Sequence, residues 1–536
     1  MRPIIRSASA TTTRTDPQSR LGAEAILLGG LLLATCALIL ASSFVGDVVF
    51  LHRVLSLILL AAAMVYGVRL WFRQPGAVNL WSIFLLSSIV AFAGAGIVGP
   101  DDTTRSNAYA FRSMQALVLV VVGLVGSRVG FCLVRTADVG AQEKVAVCLR
   151  VRQMPMTVII GELVATWALR GYLAAAGLVL SWTPIDVLRE AWLSQLVQLS
   201  SLLRSMTVFV GAALITDERN GRRRMGAAIL AGELAYALLM GRRLLVEVVV
   251  IVVMVGLWFG RGMRLSQAAS RVAAIGVVLF IAWPFVFHVR QVAREVGLYG
   301  AETAARPRIL LSEVMPRAVA TFDPLAMLEP GGPYVENVRE RVHHLDFLVD
   351  IQTAHQDGRG FLWGRGLVTS LVAVIPRFAW PGKTHFMESG ESLKLVEQLI
   401  QAHFSLPLVD SPSTVLTDGY ADGGAVGILA YMILMGLAFA MFERWVGRCR
   451  SSASGLWIYA IGASLAVGVE GEITDLFALG RVIVVILIGD RLCGGAVERW
   501  MFGRLRPNAW SASAAKPVTD AVGGPAGARS SRADVA

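Results

Sequence analysis

A chain of 536 residues that is 55% hydrophobic and only 16% charged, with a mean hydropathy of +0.62, lies well below the charge content of soluble domains, about a quarter. The apolar excess runs along the whole chain, which excludes a disordered or collagen-like protein, and the five scattered cysteines, with no CxxC pair, exclude a disulfide scaffold. A net charge of +11 would suggest nucleic acid in a soluble protein, but here it points to the basic bias of cytoplasmic segments, with no nucleic-acid partner.

A bilayer core takes about 20 apolar residues in a helix. Such segments lie near 25–46, 54–72, 78–99, 110–134, 156–182, 195–216, 225–240, 244–260, 272–288, 425–442, 455–470 and 476–492. The expected fold is an all-α polytopic integral membrane protein of about twelve transmembrane helices. Residues 1–24 read as a polar cytoplasmic tail, and the apolar run behind them is too long for a signal-peptide core, so it is a retained first helix. Spans 1–9 occupy 25–288 and spans 10–12 occupy 425–492. The remaining 493–536 is a basic cytoplasmic tail, and its Ala, Ser, Gly and Arg content from Pro507 on predicts disorder.

Lys and Arg alternate between the two faces of this arrangement. One set of connections holds runs such as Arg219, Arg222, Arg223 and Arg224, while the other holds only Arg53, Arg105, Arg112, Arg189, Arg242 and Arg243. Both termini are then cytoplasmic. It follows that 289–424 is one large extracytoplasmic loop between spans 9 and 10. That loop carries 12 basic against 16 acidic residues and five of the seven histidines: His343, His344, His355, His385 and His403. A connection this long is a folded subdomain, an active site or a lid.

Several common signatures are missing. The chain has no P-loop, HExxH, GxSxG or DxD. Gly94-Ala95-Gly96-Ile97-Val98-Gly99 ends a span against Pro100 and reads as helix-packing glycine. The histidines lack metal-ligand spacing, so neither a metal nor another cofactor is expected. The informative stretch is Gly364-Arg365-Gly366, continuing to Ile375-Pro376-Arg377-Phe378-Ala379-Trp380-Pro381-Gly382-Lys383. Aromatic and cationic groups on a Pro- and Gly-rich loop suit a sugar face on Trp380 and a phosphate between Arg377 and Lys383. A basic anchor with an interfacial tryptophan would instead belong on the inner face.

Further on, Asp418 and Asp422 stand one helical turn apart at the outer mouth of span 10. A carboxylate there can deprotonate a sugar hydroxyl as a general base. It can equally be the acidic first turn of a helix, favoured by the macrodipole. The turn Glu470-Gly471-Glu472 with Asp475 can add acid to the same mouth. Arg242 and Arg243 lie on the outer side against the charge bias, either holding an anionic head group or simply solvated in a hairpin turn. Glu162, Arg170, Glu233 and Glu247 fall inside spans and read as internal ion pairs ahead of a proton path.

These residues, taken in order, resemble a family. A many-span first half with the turn Leu239-Met240-Gly241-Arg242-Arg243 leads to one large outer loop carrying Gly364-Arg365-Gly366 and Ile375-Pro376-Arg377 to Lys383. Then Asp418-Gly419-Tyr420-Ala421-Asp422-Gly423-Gly424 enters the next helix. The chain is similar to the oligosaccharide repeat-unit polymerases, the Wzy-type O-antigen and exopolysaccharide polymerases, and most sharply so over 364–436. The family often has Glu where this chain has Asp418. The resemblance implies a GT-C-like bundle in a bacterial inner membrane and a metal-independent glycosyltransferase. Its donor would be a glycan on polyprenyl diphosphate, with a chain-length regulator and a flippase as expected partners. Residues carried over as catalytic are Asp418, Arg377, His385 and Glu388. Those carried over for substrate and diphosphate are Arg242, Arg243, Arg365, Trp380, Lys383 and Tyr420. An O-antigen ligase centred on His385 or His403 is the nearest alternative, and a lipid-linked glycan flippase or other transporter the alternative of another class.

Overall fold

A computed structural model describes residues 17–42, 47–73, 78–98, 107–134, 151–175, 191–240, 242–258, 284–298, 301, 305–329, 332, 335, 344–375, 380, 395–406, 413–469 and 471–502. Among these residues the protein is helical and has no β-strand. The first eight helices are α1 (Pro17–Ser42), α2 (Val48–Arg73), α3 (Leu80–Val98), α4 (Asn107–Leu133), α5 (Met156–Ala175), α6 (Ala191–Ile215), α7 (Asn220–Met240) and α8 (Arg242–Trp258). Residues 284–295 are helical. After them α9 (Arg306–Ile309) passes through a π-helical turn, Leu310–Val314, into α10 (Met315–Thr321), and α11 is the short Pro324–Leu328. Then come α12 (His344–Gln356), α13 (Arg365–Val374), α14 (Leu395–Phe404), α15 (Val415–Val446), α16 (Ser452–Val467) and α17 (Ile473–Phe502).

Four segments are long and apolar enough to cross a membrane by length and composition: Val48–Leu70, Asn107–Leu133, Met156–Leu173 and Val415–Val446. Shorter apolar helices surround them, and the outer faces expose Leu33, Leu40, Met64, Val164, Val485 and Leu492. Apolar side chains inside and outside alike mark a membrane-embedded helical protein.

Two boundaries differ from the sequence expectation. Helix α1 begins at Pro17, inside the expected tail, because proline suits a first helical turn whose N–H groups have no partner. Helix α17 continues past Cys493 to Phe502, since Ala496-Val497-Glu498-Arg499 extends it with residues that favour or tolerate helix.

The centre of the molecule is the crossing of α4 and α15. Gly123, Gly126 and Gly130 of α4 meet Leu416, Ile428, Leu429, Met432 and Ile433 of α15. From α15, Gly436 comes so close to the Ser127 carbonyl that any Cβ would overlap it. Small residues let the backbones touch where no hydrophobic force separates helix from lipid. Above this crossing, α4 also holds α12, through Tyr109 to Asp346 and through Arg112 to the Thr353 hydroxyl at 2.6 Å. Phe347 and Ile351 of α12 then share a small core with Leu362, Val396, Ile400, Phe404 and Ala421. A separate core joins Val289, Val292, Ala293 and Leu298 to Val314 and Ala318.

The second half of the early bundle is tied by buried ions. Arg170 of α5 forms two parallel hydrogen bonds to Glu233 of α7 at 2.7 and 2.8 Å, with 2% and 0% of the side chains exposed. Tyr236 and Trp167 flank its guanidinium, 4.1 and 4.9 Å from the ring centroids. Arg204 of α6 pairs with Glu247 of α8, which also accepts from Ser205 at 2.6 Å. Glu162 accepts hydroxyls from Thr207 at 2.6 Å and Thr166 at 3.3 Å. The two arginines pair with Glu233 and Glu247, as expected of ions in low-dielectric surroundings, while Glu162 takes hydroxyl partners.

Candidate functional site

Helix α15 is interrupted. Its start is firm: Thr414 accepts from the Thr417 backbone N–H at 3.2 Å, and Thr417 accepts from the Thr414 N–H at 2.8 Å in a capping box. Two turns later the helix breaks at Gly423-Gly424, where Gly424 has φ +60° and ψ −143°. Glycine alone adopts that conformation without strain, and the Phe361 ring packs where a Cβ at Gly424 would be. The break bends the chain enough to bring the Gly419 and Gly427 backbones into contact. A short half-helix carrying Asp418, Tyr420 and Asp422 is thus set at an angle to the longer half.

The two aspartates point into neighbouring helix starts. Asp422 accepts from the backbone N–H of Gly366 at 3.0 Å and of Leu367 at 3.1 Å, and from the Tyr431 hydroxyl. Helix α13 has Gly364 at its N-cap position, with φ +84° and no side-chain cap of its own. Asp422 supplies the missing cap from another element, against the positive end of the dipole. The fit is close, because a Cβ at Gly366 would lie 3.1 Å from the carboxylate oxygens and Asp422 would have to give way slightly. The backbone adds two bonds, Leu362 N–H to Ala421 O and Trp363 N–H to Asp422 O, both 2.9 Å.

Asp418 does the same for α17. One oxygen accepts from the Ile473 N–H at 2.8 Å and the other from the Ser413 hydroxyl at 3.0 Å. Its side chain is 1% exposed. Beside it Glu472 is buried, accepts the Glu397 N–H at 3.3 Å, and donates its own N–H to Asp475 at 3.2 Å. Burial, with the Asp418, Asp475 and Glu397 carboxylates nearby, pushes Glu472 up to about 9. Among the described residues no three His, Cys, Asp or Glu side chains are arranged to hold a metal ion.

The remaining sequence-selected residues divide into three groups. Arg365 opens α13 with its side chain exposed, and Trp380 is 38% exposed. Tyr420 is half-buried, 6.1 Å edge-on to Phe361, which itself stacks on His355 at 4.0 Å. His403 is committed to the Gly360 carbonyl at 2.8 Å. Arg242 and Arg243 begin α8, but their side chains lie outside the described residues. So do Arg377, Lys383, His385, Glu388 and Glu470.

Two residues at this site were missed in the sequence. Trp363 is 80% exposed on a backbone at φ +54°, held between Ala421, Asp422 and the start of α13. Its signal is weak, because a tryptophan ahead of glycine reads as a turn. Arg481 in α17 donates to the Val374 carbonyl at 2.9 Å, closing the far end of α13. A single charge in the apolar run Leu476 to Gly489 was the available signal. No family model, curated protein or solved structure matches this chain.

Proposed function

We propose that the chain is a membrane glycosyltransferase that polymerises polyprenyl-diphosphate-linked oligosaccharide repeat units at the outer face of a bacterial inner membrane. In this reading it has twelve spans and both termini in the cytoplasm. One observation carries it. The two blocks on which the resemblance rests, around Arg365 and around Asp418 to Gly424, are separate in sequence yet hydrogen-bonded through Asp422. Arg365 and Tyr420 stand at that junction, and Trp380 follows α13 in the sequence.

In the reaction a sugar hydroxyl oxygen attacks the anomeric carbon of the donor glycan. The bond from that carbon to the diphosphate oxygen breaks, and polyprenyl diphosphate departs with the electron pair. The site must therefore neutralise growing negative charge at a membrane surface. Arg365, Arg377, Lys383, Arg242 and Arg243 are the cations assigned to that task, with Trp380 and Tyr420 as sugar contacts. The hydroxyl proton goes to Glu388 or His385. Asp418 is proposed here as a positioning residue, because both its oxygens are engaged and its side chain is buried.

Deleting the gene tests the reading. A polymerase loss leaves surface glycan one repeat unit long, restored to a ladder by the wild-type gene and not by Arg365→Ala with Arg377→Ala. Unchanged laddering rejects it. Total loss of surface glycan identifies a flippase, and a polymer left on its lipid carrier identifies a ligase.

A further inference from the structure

Helix α13 lies along α17 with matching polarity. At its start Gly366 and Leu367 are tied to Asp422, level with the first turn of α17 that Asp418 caps. One turn on, the Ser370 hydroxyl meets the Thr474 hydroxyl at 3.0 Å. At its end the Val374 carbonyl receives Arg481. Each step towards the C-terminus of α13 thus meets a later residue of α17. Ser370 is buried towards α17, Gly366 against Asp422, and Val372 is buried as well, while Val368 and Leu371 are 49% and 46% exposed. Farther along α17, Val484, Val485 and Ile488 are exposed as well.

We infer that α13 is a re-entrant helix: it leaves the outer membrane surface at Trp363 and Arg365 and descends beside α17 into the outer leaflet. The acyl chains of lipid cover Val368 and Leu371. The inference rests on the twelve-span reading only in that α17 must itself cross the bilayer. Ten helical residues span about 15 Å, half of a hydrocarbon core of about 30 Å.

The polar groups fit that depth. Backbone inside a membrane must be bonded within the protein, and both ends of α13 are closed by side chains from other helices, Asp422 and Arg481. An arginine inside an apolar span is costly without a partner, and a helix C-terminus offers a carbonyl at the negative end of its dipole. At the other end the exposed Trp363 suits a membrane interface, where tryptophan collects on either side of the bilayer. A helix lying in water would leave Val368, Leu371 and Trp363 with nothing to cover them.

Nitroxide labels at single cysteines, in a chain whose five native cysteines are replaced by serine, test this in phosphatidylethanolamine–phosphatidylglycerol vesicles. Collision with oxygen against a water-soluble nickel chelate reports depth. Val368→Cys and Leu371→Cys should be oxygen-dominated, with the label at 371 the deeper. Val485→Cys is the bilayer control and Asp357→Cys the aqueous one. Nickel access at 368 and 371 with oxygen dominance at 485 overturns re-entry. Nickel access at 485 overturns the spanning of α17, and re-entry with it. Exclusion of both reagents at 368 and 371 means a protein or glycan covers the face, and overturns it too. Adding Arg481→Met should raise nickel access at 371 and leave 485 unchanged. No change would overturn Arg481 as the anchor of the tip.

Discussion

Replacing Asp422 by alanine is the sharpest test of the junction between α13 and α15. The carboxylate holds the Gly366 and Leu367 N–H groups at 3.0 and 3.1 Å and also receives the Tyr431 hydroxyl. Gly364 offers no side-chain substitute, and the first turn of α13 is enclosed at Gly366. Leaving a buried donor without an acceptor costs roughly 1–3 kcal/mol, and losing a helix cap about 1 kcal/mol. Some of these overlap, so the loss at α13 is about 3 kcal/mol. Every 1.4 kcal/mol is a factor of ten, so opening of α13 should rise by roughly two orders of magnitude. Global melting does not resolve the opening of one short helix, so a local readout is needed. Hydrogen exchange read by mass spectrometry on the peptide covering 362–375 isolates the element. In Asp422→Ala, exchange there should accelerate about 100-fold, while α4 and the second half of α15 keep wild-type protection. Asp422→Asn keeps one acceptor oxygen and should fall between. Wild-type exchange over 362–375 in Asp422→Ala would refute the claim that Asp422 caps α13.

Three more outcomes follow from the same structure. Folded Glu472 keeps its proton up to about pH 9, whereas unfolded it releases it near 4.5. Between those values the unfolded state binds fewer protons, so Glu472 makes stability fall as pH rises. Glu472→Gln, which preserves an acceptor for the Glu397 N–H, should flatten the decline in melting temperature between about pH 6 and about pH 9; equal slopes would contradict it. Arg170→Ala strands Glu233 in the bundle and should cost about 3–5 kcal/mol. In thermal melts the double variant Arg170→Met, Glu233→Leu should recover most of that loss. Gly436→Leu forces α15 off the Ser127 carbonyl, an overpacking cost of about 3 kcal/mol or more, visible as a lowered melting temperature and reduced yield of the monodisperse protein.

Helical character was legible wherever apolar residues ran long, as in α2, α4 and α15, because burial in lipid and burial in protein ask for the same side chains. The break in α15 was half legible. Gly423-Gly424 marks a weak point, but only the Phe361 ring and the contact of Gly419 with Gly427 make it a bend. The two aspartates were found as a pair, and both readings of them, general base or helix cap, were open. In the structure both accept N–H groups at the start of helices other than their own, 55 and 56 residues away in sequence, and no local pattern encodes such partners. The same limit hid Arg481. Its charge is conspicuous in α17, but its partner is a backbone carbonyl, which has no sequence signature.

The caps at this site belong to a wider pattern. Glu443 of α15 accepts the Leu80 N–H at 2.9 Å at the start of α3. Asp490 of α17 accepts the Arg450 and Ser451 N–H groups at 2.7 and 2.8 Å ahead of α16. With Asp418 and Asp422, Glu443 makes three buried carboxylates that each accept a first-turn N–H of a helix other than their own, while Asp490 holds the two residues just before α16, whose cap is its own Ser451. In water a loop residue or solvent fills that role, but within or beside a bilayer the unpaired N–H groups must find an acceptor inside the protein. A motif combining glycine for close approach with an acid for the cap then arises from packing alone. Within Gly364-Arg365-Gly366 and Asp418-Gly419-Tyr420-Ala421-Asp422, Gly366, Gly419, Asp418 and Asp422 meet that description, Gly364 supplies a positive φ and Ala421 fills the small core, which leaves Arg365 and Tyr420. Those two side chains have no part in the capping, and the exposed Trp363 adjoins them. On the proposed polymerase reading these residues are then a scaffold that positions a surface, and the chemistry is to be sought on the residues that the scaffold leaves uncommitted. Loss of polymer in Arg365→Ala with wild-type exchange over 362–375 would separate the two roles.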